Sequence, residues 1–327
     1  MGEASHLPLL TASRLRDARA CQRLHKHRYF DGYVPLEDVG PLRFGRIFHT
    51  ALESWWSAPA YEKLEQAIAS IPAETDPYEA AMARALLVGY HERWHRDQLD
   101  VLAVEGEFRV PLVNPATGAS SRTWELGGKF DAIARDGNNR VLLVEHKTTS
   151  EDITPGSEYW KRLRLDGQIS IYFEGARSSG FEVEACLYDV IRKPGIRPLK
   201  ATPEEDRKFK KDGTLYANQR VDDETADDFE ARLAEAIAED PNRYYARGEI
   251  VRLEAEMEEA MFDVWQLGKQ IQESKIAGRY PRNPDSCSKW GRTCQFFGVC
   301  TGEASLDDDL LFRRVSNVHP ELAIVSS

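Results

Sequence analysis

Residues 127–147 read GGKFDAIARDGNNRVLLVEHK, and this stretch decides the fold of the chain. Its central Asp-Gly-Asn-Asn turn separates two runs rich in apolar residues, which predicts a β-hairpin. Side chains two apart on a strand share a face, so Glu145 and Lys147 point to one side while His146 points to the other. Two carboxylates, Asp131 and Glu145, and one ammonium are therefore expected to meet at the end of a sheet.

Three converging charges of this kind predict a divalent-cation site that hydrolyses a phosphodiester. Carboxylate oxygens are ligands that Mg²⁺ and Mn²⁺ prefer. The cation neutralises the scissile phosphate and acidifies a bound water, while the lysine orients that water or stabilises the developing oxyanion. The alternative is an exposed Glu and Lys pair at a hairpin end, because short motifs recur by chance.

Two predicted helices add polar side chains on either side of the hairpin. Downstream, Gln168 and Tyr172 are four residues apart and so lie on one helical face. Upstream, His49 and Glu53 repeat this spacing on an amphipathic helix.

This ordered set resembles the PD-(D/E)xK nuclease superfamily, in particular its RecB-like branch. That branch has a G-x-x-x-H helix, a G-x-x-D strand, an ExK or DxK strand and a Q-x-x-x-Y helix, in this order. The resemblance implies four metal ligands: His49, Asp131, Glu145 and the backbone carbonyl of His146. It also implies three further site residues: the catalytic lysine Lys147, with Gln168 and Tyr172 shaping the site and contacting DNA. The proline that names the family's motif is absent, since Lys129 and Phe130 precede Asp131.

The expected fold is α/β, with a restriction-endonuclease-like core in which a mixed sheet is flanked by helices in the order αβββαβ. Strands are predicted at residues 101–113 and 181–192 in addition to the hairpin, and helices at 223–238 and 250–277. Glu105 and Glu107, on the first of these strands, are expected to face solvent; the alternative is that either approaches the metal from this neighbouring strand. Helical additions would surround the core.

Four segments are expected along the chain. They are residues 1–100, with a first cysteine and a helical region carrying His49; 101–195, the nuclease core; 196–280, an insert and C-terminal helices; and 281–327, a cysteine segment and tail. Within the third segment, the polar residues up to 222 are expected to form a loop.

Cysteine placement gives a second, independent signal. Cys186 lies inside a predicted strand and is expected to be a small buried hydrophobe. Four thiolates suit a [4Fe–4S] cluster or a structural zinc ion, and the candidates are Cys21, Cys287, Cys294 and Cys300. Resemblance to iron–sulfur members of the RecB-like branch, including CRISPR-associated exonucleases, implies a [4Fe–4S] cluster that clamps both chain ends around the core. Six residues separate the second and third of these cysteines, where the family commonly has two, so zinc remains an alternative.

Charge, hydropathy and missing motifs limit the classes of protein to which the chain could belong. The net charge is -11, but basic residues gather in separate clusters, including one at 207–211. No apolar run is long enough to span a bilayer, and no secretory signal precedes the first helix, so a cytoplasmic location without membrane contact is expected. A reducing compartment disfavours disulfides. The phosphate-binding loop of ATP-driven motors is also missing from the sequence.

Together these features predict a metal-dependent DNA nuclease. The expected activity is that of an exonuclease on single strands or duplex ends, in recombination, repair or CRISPR-associated DNA processing, with a helicase or recombination protein as a candidate partner. The alternative is a non-catalytic DNA-binding or assembly subunit that keeps the fold and the cluster. Three converging charges argue against this alternative, because binding alone gives no physical reason for them.

Overall fold

A mixed six-stranded sheet forms the centre of the computed structural model, which describes residues 6–36, 40–289, 292–320 and 322. The first residues of the expected N-terminal segment and the end of the expected tail lie outside these ranges. The described strands are β1 (Leu9–Leu10), β2 (Tyr33–Pro35), β3 (Asp100–Val113), β4 (Ser120–Arg135), β5 (Val141–Thr149), β6 (Ala185–Arg192), β7 (Tyr245–Ile250), β8 (Ser288–Lys289), β9 (Arg292–Thr293) and β10 (Phe312–Arg314).

The sheet runs in the order β1-β4-β5-β6-β7, and β3 lies off this path and pairs with β4. β4 is antiparallel to β3 and β5, β5 is parallel to β6, and β6 is antiparallel to β7. Two small ladders lie outside this sheet, one joining β2 to β10 and one joining β8 to β9. The first of them fastens the N-terminal part of the chain to its C-terminal part.

The described α-helices are α1 (Ala12–Ala20), α2 (Gln22–His25), α3 (Gly40–Ser57), α4 (Lys63–Ala69), α5 (Pro77–Trp94), α6 (Glu158–Leu163), α7 (Gly167–Ser178), α8 (Ala226–Glu239), α9 (Glu254–Ala277) and α10 (Phe297–Thr301). Local chemistry sets several of their ends. Asp76 accepts hydrogen bonds from the backbone of Tyr78 and Glu79 and Pro77 opens the helix, so α5 begins there. Gly278, with φ of 62°, ends α9.

Helices cover both faces of the sheet. One hydrophobic cluster joins α1, α7 and α9 to sheet residues such as Ile133 and Leu143. The other joins α3, α5 and α8 to Ala132 and Val144 on the opposite face. The alternation of neighbouring residues between the two clusters is the period of two that a doubly covered sheet requires.

The expected α/β class and the αβββαβ order are confirmed by α3, β3, β4, β5, α7 and β6. Two strands of the sheet were not predicted. β1 lies in the segment expected to hold the first cysteine, and it pairs with β4. β7 lies in the segment expected to hold only an insert and helices, and Ile250, expected to open a helix, is its last residue. The helix itself begins at Glu254. None of the helices in the described ranges combines the length and apolar character needed to cross a lipid bilayer.

Candidate active site

The β4–β5 hairpin places Asp131 beside the second half of β5. The ladder pairs Ala132 with Val144, so Asp131 lies one residue beyond the last paired position. Its Oδ2 atom accepts a hydrogen bond of 2.7 Å from the backbone N–H of His146. The carboxylate is therefore held by the strand that carries the other candidate residues.

Glu145, Lys147 and Gln168 form a closed triangle of hydrogen bonds. Lys147 Nζ donates to Glu145 Oε1 at 2.8 Å and to Gln168 Oε1 at 2.9 Å. Gln168 Nε2 donates to the same Glu145 oxygen at 2.8 Å. Gln168 reaches this position because Asp166 caps α7 by accepting its backbone N–H. The predicted convergence of strand and helix residues is thus present in the geometry.

Glu145 occupies an environment that disfavours its charge. Its side chain is only 3% exposed, and Oε2 is buried without a hydrogen-bond partner in the described part of the chain. Burial, followed by the nearby charge of Asp131, raises the pKa of Glu145 to about 8. Burial acts against the charge of Lys147, but Glu145 and then Asp166 outweigh it and raise the pKa of that lysine.

His49 approaches the same carboxylates from α3. Its Nδ1 atom lies 4.0 Å from Asp131 Oδ1, and its ring centroid lies 6.4 Å from that of His146. Burial lowers the pKa of His49, which favours the neutral ring that binds metals.

The donor set fits a divalent cation. Two carboxylates and an imidazole suit Mn²⁺ or Mg²⁺, and a cation would compensate the orphaned oxygen of Glu145. As the side chains stand, no group of three or more His, Cys, Asp or Glu within the described ranges is arranged to hold a metal ion. The observation that favours a cation is therefore the buried Oε2 atom of Glu145, which has no partner in the described structure, and not a closed coordination shell.

Tyr172, one turn further along α7, is buried with its ring edge-to-face on Phe108 at 5.9 Å. Glu105 differs from its expected solvent-facing role, because it pairs with Lys129 beside the site. Burial, with the charges of Asp131 and Glu53, raises the pKa of Glu105, although Lys129 opposes them. The sequence offered one signal for this position of Glu105: it is an acidic residue on β3, the strand that pairs with the strand carrying Asp131.

His146 points to the opposite face of β5, as the alternation predicts. Its ring packs against Trp56 with centroids 5.3 Å apart, and Nδ1 lies 3.4 Å from Oδ2 of the fully buried Asp189. Nδ1 makes no aligned hydrogen bond within the described structure, so this is an ionic contact. The hydroxyl of Tyr90 donates to Asp189, and Arg247 on β7 pairs with it at 3.2 Å. This buried network was not predicted.

The four candidate cysteines of the expected clamp lie near one another, from the two ends of the chain, but as they stand in the described structure they do not form a group that could hold a metal ion. The Cys294 thiol interacts electrostatically with those of Cys21, Cys287 and Cys300, although burial is the main cause that raises its pKa. All four are half-buried free thiols. Cys186 is fully buried in β6, as expected of a small core hydrophobe.

Polar contacts tie the two cysteine segments to each other. Asn283 Nδ2 donates to the carbonyl of Ala20 at 2.9 Å, and Arg23 Nε donates to that of Tyr280 at 3.0 Å. The chain ends are therefore adjacent through the protein's own hydrogen bonds.

Comparison with known proteins gives results at three levels. No curated protein matches the chain. A solved structure titled "Crystal structure of SSO0001" is similar at 17% identity, covering 79% of this chain and 86% of that chain with a TM-score of 0.31. The family model of the PD-(D/E)XK nuclease superfamily matches residues 9–301. Since this match spans both the sheet and the residues around Asp131, Glu145 and Lys147, the chain belongs to the PD-(D/E)XK nuclease superfamily.

Proposed function

We propose that the chain is a DNA exonuclease that uses Mg²⁺ or Mn²⁺ to hydrolyse phosphodiester bonds at single strands or duplex ends. Membership of the superfamily supports metal-dependent nuclease activity. The observation that carries the proposal is the buried, unpartnered Oε2 of Glu145 beside Asp131 and Lys147. Oε1 already accepts hydrogen bonds from Lys147 and Gln168, so Oε2 is the oxygen left for a cation, and burying it without a partner is costly.

Each residue has a role that follows from its position. Asp131, Glu145, His49 and the carbonyl of His146 would hold the ion, which supplies Lewis acidity and an acidified water when bound. Lys147 is fixed between two acceptors, so its ammonium is positioned to stabilise charge that develops on the phosphate. Gln168 orients both Glu145 and Lys147, while Tyr172 supports α7 behind them.

End-labelled DNA tests the proposal. Glu145→Gln and Lys147→Met should each lower the cleavage rate by roughly 10²-fold or more, because each removes charge that acts in the transition state. Glu249→Gln is the matched control, since this half-exposed glutamate on β7 pairs only with Arg140 among described residues. Single-stranded and duplex substrates with Mg²⁺ or Mn²⁺ distinguish terminal from internal cleavage. Unchanged turnover in the Lys147 variant would refute the assigned roles.

The same assay separates the second candidate function, a non-catalytic DNA-binding or assembly subunit. Such a subunit would bind labelled DNA without shortening it at any metal concentration. We also propose that the nuclease acts in recombination, repair or CRISPR-associated DNA processing, with a helicase or recombination protein as a candidate partner; the resemblance alone supports this. The proposed cytoplasmic location rests on the sequence, which shows neither an apolar span nor a secretory signal.

We further propose that Cys21, Cys287, Cys294 and Cys300 bind a [4Fe–4S] cluster, with zinc as the alternative. Four thiols that interact electrostatically and form no disulfide support this. Metal ligation requires thiolates, and bound iron or zinc would stabilise that charged form. Iron and zinc analysis of anaerobically purified protein, with its visible spectrum, tests it. A broad brown absorbance supports the cluster, one zinc per chain supports the alternative, and metal-free stable protein overturns both.

A further inference from the structure

Residues 199–224, here called the arm, form a self-paired excursion between β6 and α8. The two sides of the arm are joined by backbone hydrogen bonds, from Thr202 to Arg220 at 2.9 Å and, nearer the tip, from Lys210 to Thr214 at 2.7 Å. In the described structure, the hydrogen bonds of residues 200–222 join only residues of the arm. The arm is thus an ordered projection and not part of the core.

Glu224 fixes the base of the arm. Its carboxylate is buried, pairs with Arg232 of α8 at 2.6 Å and accepts the backbone N–H of Leu199 at 2.8 Å. The hydroxyl of Tyr78 on α5 donates to the Glu224 carbonyl at 2.6 Å. Two helices therefore set the direction of the arm, so its tip has a defined place relative to the sheet.

The arm leaves the sheet on the side of the candidate active site. β5 and β6 are parallel, and Lys193, just after β6, donates its backbone N–H to Thr149 at the end of β5 at 2.7 Å. The Lys193 ammonium lies 5.5 Å from the ring centroid of Phe44, on the helix that also carries His49. The chain that leads into the arm therefore leaves the sheet next to the end of β5, the strand that carries Glu145 and Lys147.

The tip of the arm combines exposed aromatic rings with cations. Phe209 is 60% exposed and Tyr216 is 49% exposed, which is unusual for rings of this size on a folded surface. Lys208, Lys210 and Lys211 are exposed, and no carboxylate pairs with them among the described residues. Lys200 at the base, in contrast, pairs with Asp223 at 2.8 Å. Unneutralised cations are notable on a chain with a net charge of -11.

We propose that the arm binds a single strand of nucleic acid beside the active site. The inference rests on the proposed nuclease function and names its substrate class. Phe209 pairs with Leu215, so Phe209 and Tyr216 lie on opposite faces of the arm. Bases stack on either ring, whose face a paired duplex could not use, and phosphates contact the three lysines. Stacking accepts any base, so the arm selects for single-strandedness and not for sequence.

Two variants and a control test the arm. The first is the double variant Phe209→Ser and Tyr216→Ser, and the second is the triple variant Lys208→Gln, Lys210→Gln and Lys211→Gln. Lys200→Gln is the control, because its lysine lies on the arm but is already paired. Fluorescence anisotropy with a labelled single strand and the matching duplex, in Ca²⁺ to prevent cleavage and across a salt series, measures binding.

The aromatic double variant should weaken single-strand binding by roughly tenfold or more and duplex binding much less. The lysine variant should also lower the slope of log K against log salt by about 2 for single strands. The control should bind as the wild type does, and all variants should melt at its temperature, since the changed side chains are exposed.

The arm proposal would be overturned if both arm variants bound single strands as tightly as the wild type does, or if their affinity for single strand and duplex fell equally. In either case, cleavage of DNA by the wild type would leave the nuclease proposal intact. A wild-type protein that neither binds nor cleaves nucleic acid would overturn both.

Discussion

Arg247→Met should destabilise the protein strongly, because it leaves the charge of Asp189 buried without its main partner. Asp189 is fully buried on β6, and the register places Arg247 directly opposite on β7, with Nη2 3.2 Å from Oδ2. The guanidinium also stacks on Trp94 at 4.0 Å. Burial alone would raise the pKa of Asp189, but Arg247 and His146 hold it below its usual range.

The magnitude follows from the burial of the pair. Breaking a buried ion pair by removing one partner costs about 3–5 kcal/mol, because the remaining charge stays desolvated. A chain of 327 residues unfolds with an entropy of about 0.7 kcal/mol/K. The melting temperature should therefore fall by about 4–7 °C.

Differential scanning calorimetry of four proteins measures this effect. The double variant Asp189→Asn with Arg247→Met removes both charges and keeps an acceptor for the Tyr90 hydroxyl, so it should regain at least half of the lost stability. Arg162→Met is the control, since its ion pair with Glu151 is half exposed on both sides and contributes less than about 1 kcal/mol. The reasoning is refuted if Arg247→Met melts with the control, or if the double variant melts as low as the single one.

Three further predictions concern the N-terminal segment, the metal site and the cysteines. Burial, with Arg14 as the second cause, lowers the pKa of His25 to about 3. The folded protein therefore favours the neutral ring. The resulting stability is complete above the pKa that His25 has in the unfolded chain, and it is lost as pH falls below that value. The free energy of unfolding, measured with urea, should therefore fall by about 2 kcal/mol between pH 7.5 and pH 5. In His25→Gln this free energy should change less with pH, and an equal change in the variant and the wild type would contradict the prediction. An imidazole ligand favours manganese over magnesium, so His49→Ala should lose any preference for Mn²⁺ in cleavage, whereas equal metal profiles would place His49 outside the coordination shell. Replacing any clamp cysteine by Ala should lower yield and melting temperature together, because a metal that joins distant segments restrains the unfolded chain. Stability losses no greater than that of Cys186→Ser would exclude a clamp. The clamp cysteines are Cys21, Cys287, Cys294 and Cys300.

The parts of the site that short-range rules govern could be predicted from the sequence. The hairpin turn and the period of two placed Glu145 and Lys147 on one face and His146 on the other, and the structure has them so. Helical spacing predicted that Gln168 and Tyr172 share a face, and the resemblance implied that Gln168 belongs to the site, where it contacts Lys147. These relations depend only on backbone geometry and on residues close in sequence.

The parts that depend on distant partners could not be predicted. β7 is a short edge strand with Arg247 and Glu249 inside it, so its sequence lacks an apolar alternation, and only pairing with β6 defines it. The buried Asp189 gave no signal either, because its partners lie far away in the chain. Solvent exposure is the expected environment of Glu105, whereas in the structure its backbone has a positive φ of 54° and its side chain pairs with Lys129 of the neighbouring strand.

Contacts on one face of β5 hold the backbone that positions the candidate site on its other face. Asp131 is held by the backbone N–H of His146, and the ring of His146 is held by Trp56 and Asp189 on the far side of the sheet. A shift of β5 that relaxed the buried network would therefore move the N–H on which Asp131 depends. Because a one-residue slip would also exchange the faces of Glu145 and His146, the core contacts enforce the register that the site needs. The polar network behind the sheet thus supports the geometry of the carboxylates without contacting the substrate.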